Sequence, residues 1–257
     1  MNKQNEEFYE YFYNRDSDSS VNSGVARWEF YLLKSIIKYA DKNAIKNILE
    51  VGCGQGNKTA ILGKYFNEAK IKAIDPSYPG IRNAKSNYSE ITNIEFMKYD
   101  IEQYKNNSDI KFDIVAGLEI LEHVDDWQDL LNKMLEFSNK YILLSFPTGV
   151  MRKYEVHVGH LRNFKRGEVE EFLANKGFKV VKTFYSGFPF YSPLARNYVN
   201  KNYNKVLKSM DKKFTKFDYF FNTLVYISFR YFSFHSIGDH FTGLFEKVDI
   251  NKNNNII

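Results

Sequence analysis

Apolar positions along the chain fall into two alternating patterns. Short continuous runs at Asn47–Val51, Ile71–Asp75, Ile94–Tyr99, Phe112–Leu118 and Tyr141–Phe146 have the length of buried strands. Between them, Lys58–Phe66, Ile81–Tyr88 and Trp127–Phe137 carry helical spacing, and Glu168–Lys176 (helix) with Phe178–Tyr185 (strand) continues the series. Ahead of the first strand, Arg27–Ala40 spaces Trp28, Tyr31, Leu32, Ile36 and Tyr39 as a helix does, after a polar stretch over 14–24 that reads as a loop. Strand and helix in alternation predict an α/β fold with a doubly wound, mostly parallel sheet.

The pattern changes after Ser186. Asn197–Met210 and Phe214–Phe234 have helical spacing and are loaded with Tyr and Phe, and Phe241–Val248 reads as a last strand before an NKNNNII tail expected to be disordered. The chain is read as a single domain over 1–257: an N-terminal helical cap (1–44), an α/β core (45–185), a helical insertion (186–240), then the last strand and tail (241–257). For the aromatic helix the leading expectation is packing in the core or against a second copy. A lid and a membrane-surface contact are the other two readings. Asp218, Asn222 and Arg230 interrupt it, so it is not read as a bilayer span.

Composition narrows the function classes. The single Cys53 excludes an intramolecular disulfide and a Cys-only zinc site, and no metal-ligand set is read. The polar, acidic opening has no apolar signal region, so a cytoplasmic location is expected. A net charge of +5 is too mild to mark a nucleic-acid binder. That charge is uneven, −4 over residues 1–150 and +9 over 151–257, which leans weakly toward an anionic small-molecule partner.

The chemistry should lie beyond the carboxyl ends of the parallel strands, where strand order reverses. The first strand ends in Glu50-Val51-Gly52-Cys53-Gly54-Gln55-Gly56, and the second ends at Asp75, 19 residues past Gly56. Alternating glycines let the backbone turn tightly against a ligand, and a carboxylate at the second position can accept both hydroxyls of a ribose. A dinucleotide site prefers a third glycine at position 57, which is Asn57 here. Glu50 would repel a pyrophosphate and attract an ammonium group. A nucleoside with an amino-acid tail, S-adenosylmethionine, meets both conditions.

These segments resemble the class I, seven-stranded methyltransferases that use S-adenosylmethionine, in their small-molecule branch. ILEVGCGQG is similar to that family's glycine motif, AID at Asp75 to its ribose-binding acid, and YDIE at Asp100 to its adenine site. FDIVAGLEILEHVDDW and HLRNFKRGEVEEFLANKGFKVV resemble further motifs of the branch, and the usual Pro-Gly-Gly turn before the fifth strand is replaced by Phe137-Ser138-Asn139-Lys140. The resemblance implies strand order 3-2-1-4-5-7-6 with the last strand antiparallel, S-adenosylhomocysteine as product, and an insertion before the last strand on the substrate side. By position it assigns Glu50 and the Gly52, Cys53, Gly54, Gln55 and Gly56 loop to the methionine end. Asp75 with Pro76 goes to the ribose, Asp100 and Ile101 to the adenine, and Gly117, Leu118 and Glu119 to the sulfonium side. Arg27 and Tyr9 are candidates for closing over the cofactor.

Methyl transfer from a sulfonium is an in-line displacement that needs alignment above all, and a hydroxyl acceptor also needs a base. His160, His157 and His123 are the candidate bases, and Arg152, Arg162 and Tyr185 the candidate substrate contacts. The reading is a methyltransferase acting on an oxygen or nitrogen of a small molecule, with an anionic or sugar-linked precursor of surface-glycan synthesis as the finer expectation. The alternatives are an RNA or protein methyltransferase and a non-catalytic cofactor-binding scaffold. A homodimer is left open.

Overall fold

The computed structural model describes residues 12–14, 18–104, 111–210 and 213–248. Tyr9 and the tail expected to be disordered lie outside them. Seven strands form one sheet: β1 (Asn47–Val51), β2 (Lys70–Asp75), β3 (Ile94–Lys98), β4 (Phe112–Leu118), β5 (Ser138–Pro147), β6 (Phe178–Ser186) and β7 (His240–Lys247). Their order is β3-β2-β1-β4-β5-β7-β6, parallel from β3 to β5, with β7 antiparallel to both β5 and β6. This is the α/β architecture and strand order expected from the sequence.

Strand alternation sorts the continuous apolar runs onto two covered faces, as a buried parallel sheet requires. Ile48, Ile114, Ala116 and Leu118 face one side, under Leu33 and Ile36 of the helix Gly24–Ile36. Leu49, Val51 and Val115 face the other, under Leu131 and Met134 of the helix Trp127–Phe137. The helices in chain order are α1 (Ser19–Asn22), α2 (Gly24–Ile36), α3 (Asn57–Tyr65), α4 (Tyr78–Asn87), α5 (Trp127–Phe137), α6 (Lys153–His157), α7 (Glu168–Asn175), α8 (Arg196–Lys201), α9 (Tyr203–Met210) and α10 (Lys216–Tyr231). Side-chain caps fix several starts: Ser23 Oγ accepts from Ala26 N at 3.2 Å before α2, and Asp126 Oδ1 from Asp129 N at 2.9 Å before α5.

Two local expectations are corrected. The polar 14–24 stretch is not all loop: α1 lies within it and α2 begins at Gly24. The segment after β5 is not a plain loop either: Glu155 Oε2 accepts from Arg152 N at 2.6 Å, and Glu155 N donates to the Arg152 carbonyl at 3.0 Å, which starts the five-residue α6.

The insertion between β6 and β7 is tied to the core by a buried charge hub. Arg196, 1% exposed at the start of α8, donates from Nε to Glu155 Oε1 at 2.9 Å and from Nη1 to Asp239 Oδ2 at 2.9 Å. Farther along, α10 packs on α2: Gly24 N donates to Asn222 Oδ1 at 2.9 Å, and Trp28 meets Phe229 at 5.5 Å between ring centroids. No helix among the described residues is long and apolar enough to cross a membrane.

Candidate functional site

Strand order reverses between β1 and β4, and a cleft of about 370 Å³ opens there at the carboxyl ends of β1, β2 and β4. Its floor is the turn from β1 into α3. Gly52 sits at φ +76° with Ile120 so close that a Cβ would meet it at 2.3 Å, so only glycine closes the turn. Gly54 follows at φ +51° and gives its N–H to Asp75 Oδ2 at 2.8 Å. Ser77 N holds the other oxygen, Oδ1, at 2.8 Å. The carboxylate of Asp75 is thereby fixed at the cleft wall, with lone pairs left for a diol. Burial pushes its pKa up, and the two N–H bonds oppose that.

Glu50 is the second fixed acid. It is 1% exposed, lines the cleft below the glycine turn, and has Oε2 buried with no partner. A buried carboxylate without a hydrogen-bonding partner is costly unless a ligand supplies one. Burial raises its pKa to about 7; Thr59 and Lys58 pull downward against this, and Asp75 adds to it.

Above this floor lies a wall of mixed charge. Lys58 on α3 is 3.2 Å from Glu29 on α2 and 4.0 Å from Glu119 at the end of β4. Burial lowers the Lys58 pKa, but Glu29 and Glu119 more than offset it, and the ammonium is held above its usual range. Burial would raise Glu119, yet Lys58 and then His240 bring it down to about 2. Glu119 has φ +61°, the one non-glycine residue in the left-handed region among those described, and its Oε1 is buried without a hydrogen-bond partner. Strain of this kind collects at functional sites.

The cleft gathers most of the expected cofactor residues: Cys53, Gln55, Pro76, Asp100, Ile101 and Leu118 line it with Glu50, Gly52, Gly54, Asp75 and Glu119. Asp100 already spends one oxygen on Glu102 N at 2.9 Å. Burial pushes the Cys53 thiol well up, so it remains a neutral packing group. Gly56 serves as the cap of α3, and Gly117 lies beneath the wall against Met134, where a Cβ would come within 2.8 Å. Arg27 is corrected: it turns away to α10, with Nη1 on Thr223 Oγ1 at 2.9 Å and its guanidinium over the Tyr226 ring. Tyr9 lies outside the described residues, and the nearby Phe12 and Tyr13 reach the cleft.

Of the three candidate bases, only His123 lines the cleft. Its Nδ1 lies 3.0 Å from the Gly159 carbonyl, which can only accept, so the proton sits on Nδ1 and Nε2 is the basic nitrogen. Burial and then the neighbouring His160 lower its pKa to about 3. His160 stands behind it, ring edge to face at 4.7 Å, and is itself lowered by burial. His157 is corrected: it is exposed at the end of α6, bonded to Lys153 O and stacked on Tyr203.

The expected substrate contacts are also elsewhere. Arg152 reaches Asn197 Oδ1 at 2.9 Å, Arg162 caps the Asp125 carbonyl at 2.7 Å, and Tyr185 hydroxyl binds Glu170 and Gly167 N on the far face. These groups stitch loops together and build no anion pocket in the cleft.

Among the charged groups, Lys58 and Glu29 line the cleft and were not foreseen, nor were Glu122 and His240 beside Glu119. Lys58 had a sequence signal, being in the first turn of the helix that follows the glycines. His240 is the first residue of an antiparallel strand, paired with Pro147 at the end of β5, which brings it to the ligand end with Nε2 at 3.9 Å from Glu119. Two groups hold donor atoms within 4.8 Å of one another, Glu122/His123/His160 and Glu29/Glu119/His240. In the second, the Lys58 ammonium already stands beside two of the three. Glu122 is fully buried, and burial and then Glu119 push its pKa well up, which favours the neutral form.

With this geometry in place, comparison with known proteins is decisive. Residues 48–140 match the family described as "Methyltransferase domain". Over this segment the chain matches a methyltransferase domain, set in a sheet of order β3-β2-β1-β4-β5-β7-β6. The malonyl-[acyl-carrier protein] O-methyltransferase of Acetivibrio thermocellus is 30% identical to it over 132 residues, 51% of this chain and 46% of that protein. The ubiquinone biosynthesis O-methyltransferase of Pseudoalteromonas translucida is 32% identical over 104 residues, 40% and 43% of the two. The match thus spans less than half the length of these relatives. Among solved structures, the N-methyltransferase NodS from Bradyrhizobium japonicum in complex with S-adenosyl-L-homocysteine shares the fold of the methyltransferase domain. Its TM-score is 0.59 and its identity 14%, over 96% of this chain and 100% of that one.

Proposed function

We propose that this methyltransferase domain takes S-adenosylmethionine as donor, moves its methyl group to an oxygen or nitrogen of a small molecule, and releases S-adenosylhomocysteine. The observation that carries the proposal is the pair of buried acids on either side of the glycine turn. Asp75 is oriented by two backbone N–H groups and offers its remaining lone pairs to a ribose diol, and Glu50 offers an unpartnered oxygen to an ammonium group. When bound, the donor supplies an activated methyl on a sulfonium. The chain's own residues hold it, align the acceptor and keep water out.

On the acceptor side, the Glu29–Lys58–Glu119 wall favours a molecule that donates hydrogen bonds, a hydroxyl or an amine, over an anion. The two arginines expected to contact an anionic, glycan-type precursor bind an asparagine and a carbonyl outside the cleft, so they lend that reading no support. For a hydroxyl acceptor, His123 Nε2 is the proposed proton acceptor, a weak base that is always neutral, orients the hydroxyl and takes its proton late, once the partly methylated oxygen has become acidic; His160 is the residue that positions its ring. On such an acceptor His123→Ala lowers turnover by about a hundredfold, whereas His157→Ala leaves it unchanged. An equal loss in both variants, in a labelled methyl-transfer assay, would remove the base assignment.

Glu50 gives the proposal a pH signature. An ammonium is attracted only by the ionised carboxylate, whose pKa in the free protein is about 7. Cofactor affinity is therefore level above pH 7 and falls by about tenfold per unit below it. The sign for stability is opposite: a carboxyl raised from its ordinary 4.5 is fully tolerated at low pH, and stability declines as pH rises through 7. Isothermal titration with S-adenosylmethionine across pH 5–9 tests both this and the donor itself; Glu50→Gln should bind more weakly with a flat profile. No binding by the wild type at any pH would overturn the proposed function.

A further inference from the structure

Helix α10 has two apolar faces, and only one is used. Asn222, Val225, Tyr226 and Phe229 lie toward α2, where Val225 closes on Gly24 and Phe229 is 3% exposed. On the opposite side Phe217, Phe220, Leu224, Ile227 and Tyr231 follow one another at steps of three and four residues, with Phe221 four residues after Phe217. These steps fall on one stripe of the helix. The stripe is open to solvent: Phe217 is 72% exposed, Phe220 61%, Phe221 56% and Tyr231 64%. Phe232 and Phe234, also more than half exposed, prolong it past the helix end. A continuous aromatic surface of this size marks a contact site.

The charge beside it says what kind. Between 201 and 216 the sequence has six lysines against one aspartate. Lys201, Lys205 and Lys208 on α8 and α9 are exposed, and Lys213 and Lys216 stand exposed where the aromatic stripe begins. Along α10 itself Asp218 is the one acid, and it is spent on capping Thr215. A second copy packed stripe on stripe would cover the aromatic rings but set one lysine-rich border beside another. An anionic bilayer surface answers both, taking rings at headgroup depth and lysines against lipid phosphates.

We propose that α10 and the lysines that precede it dock the protein, in-plane, on the surface of an anionic lipid bilayer. The anchoring is peripheral, since no described helix can cross. It also has a geometric consequence for the cleft. α2 presents Ala26, Glu29 and Phe30 to the cleft and lies against α10 through Gly24, Arg27 and Trp28. The docked face is therefore one helix away from the cleft wall.

Flotation of the full chain with vesicles tests this without reference to catalysis. The protein should float with mixed phosphatidylcholine–phosphatidylglycerol vesicles, stay down with phosphatidylcholine alone, and be released progressively by salt. Phe217→Ser with Phe220→Ser and Phe221→Ser abolishes flotation, while Lys208→Ala with Lys216→Ala weakens it by about tenfold or more. Circular dichroism and thermal unfolding of the variants should match the wild type, because all five positions are exposed. Absence of flotation with the mixed vesicles overturns the proposal, as does flotation that neither set of substitutions reduces. So does a dimer in sedimentation analysis that the serine variant dissociates, which would assign the stripe to a second copy.

Discussion

Asp75→Ala lowers affinity for S-adenosylmethionine by about a hundredfold or more. The figure follows from two hydroxyl donors that lose an ionised acceptor, at about 1.5–3 kcal/mol for each bond. The variant also loses internal bonds, because Asp75 accepts from Gly54 N and Ser77 N, both at 2.8 Å in a buried site. Two N–H groups left without partners cost about 1–3 kcal/mol each, so the unfolding midpoint drops although the fold persists. Asp75→Asn separates the two effects. Its carbonyl oxygen still accepts one N–H bond, so it should recover part of the stability while affinity stays low. Titration calorimetry beside thermal unfolding reads both quantities. Normal affinity in the alanine variant would refute the ribose assignment.

The largest effect on stability is expected at Arg196. It is 1% exposed and bonded to Glu155, to Asp239 and to the carbonyls of Thr148 and Val150. Glu155, 2% exposed, uses its other oxygen to accept from Arg152 N and Asn163 Nδ2. Arg196→Met leaves Glu155 buried without its counter-charge and strands two carbonyls. Breaking such a pair costs about 3–5 kcal/mol, which for a chain of this size lowers the melting temperature by about 10 °C or more. Adding Glu155→Met to Arg196→Met removes the stranded charge and should recover part of the loss. Chemical denaturation of the two variants gives the comparison. A cost in the single variant no larger than that of an exposed ion pair would mean the hub is solvated.

The sequence carried the core of this protein. Apolar runs of strand length alternating with helical spacing are a local record of a two-sided sheet, and the edges of β1 and β4 lie where the runs begin and end. Parallel strands all point their carboxyl ends at one edge, so Glu50, the glycines and Asp75 at the ends of the first two runs could be assembled on paper, and the family resemblance added Asp100 and Glu119. Each of them lines the cleft or supports it.

What failed lay outside that regularity. His157, Arg152, Arg162 and Tyr185 are in or near segments whose direction depends on a five-residue helix and on side chains reaching for carbonyls, and linear order does not encode either. His240 escaped because an antiparallel strand brings its first residue, and not its last, to the ligand edge. Arg27 and Glu29 share α2, two residues apart, and so face different ways; only the packing of α10 shows that Glu29 has the cleft.

The sequence by itself determined the strands, their alternation with helices and the two acids Glu50 and Asp75 at the ends of the first two strands, because periodicity and strand-end position are set by local backbone geometry; the strand order was what the family resemblance implied. Tertiary structure alone decided the charge pattern of the acceptor wall and which aromatic residues remain on the surface, because both depend on contacts between elements far apart in the chain.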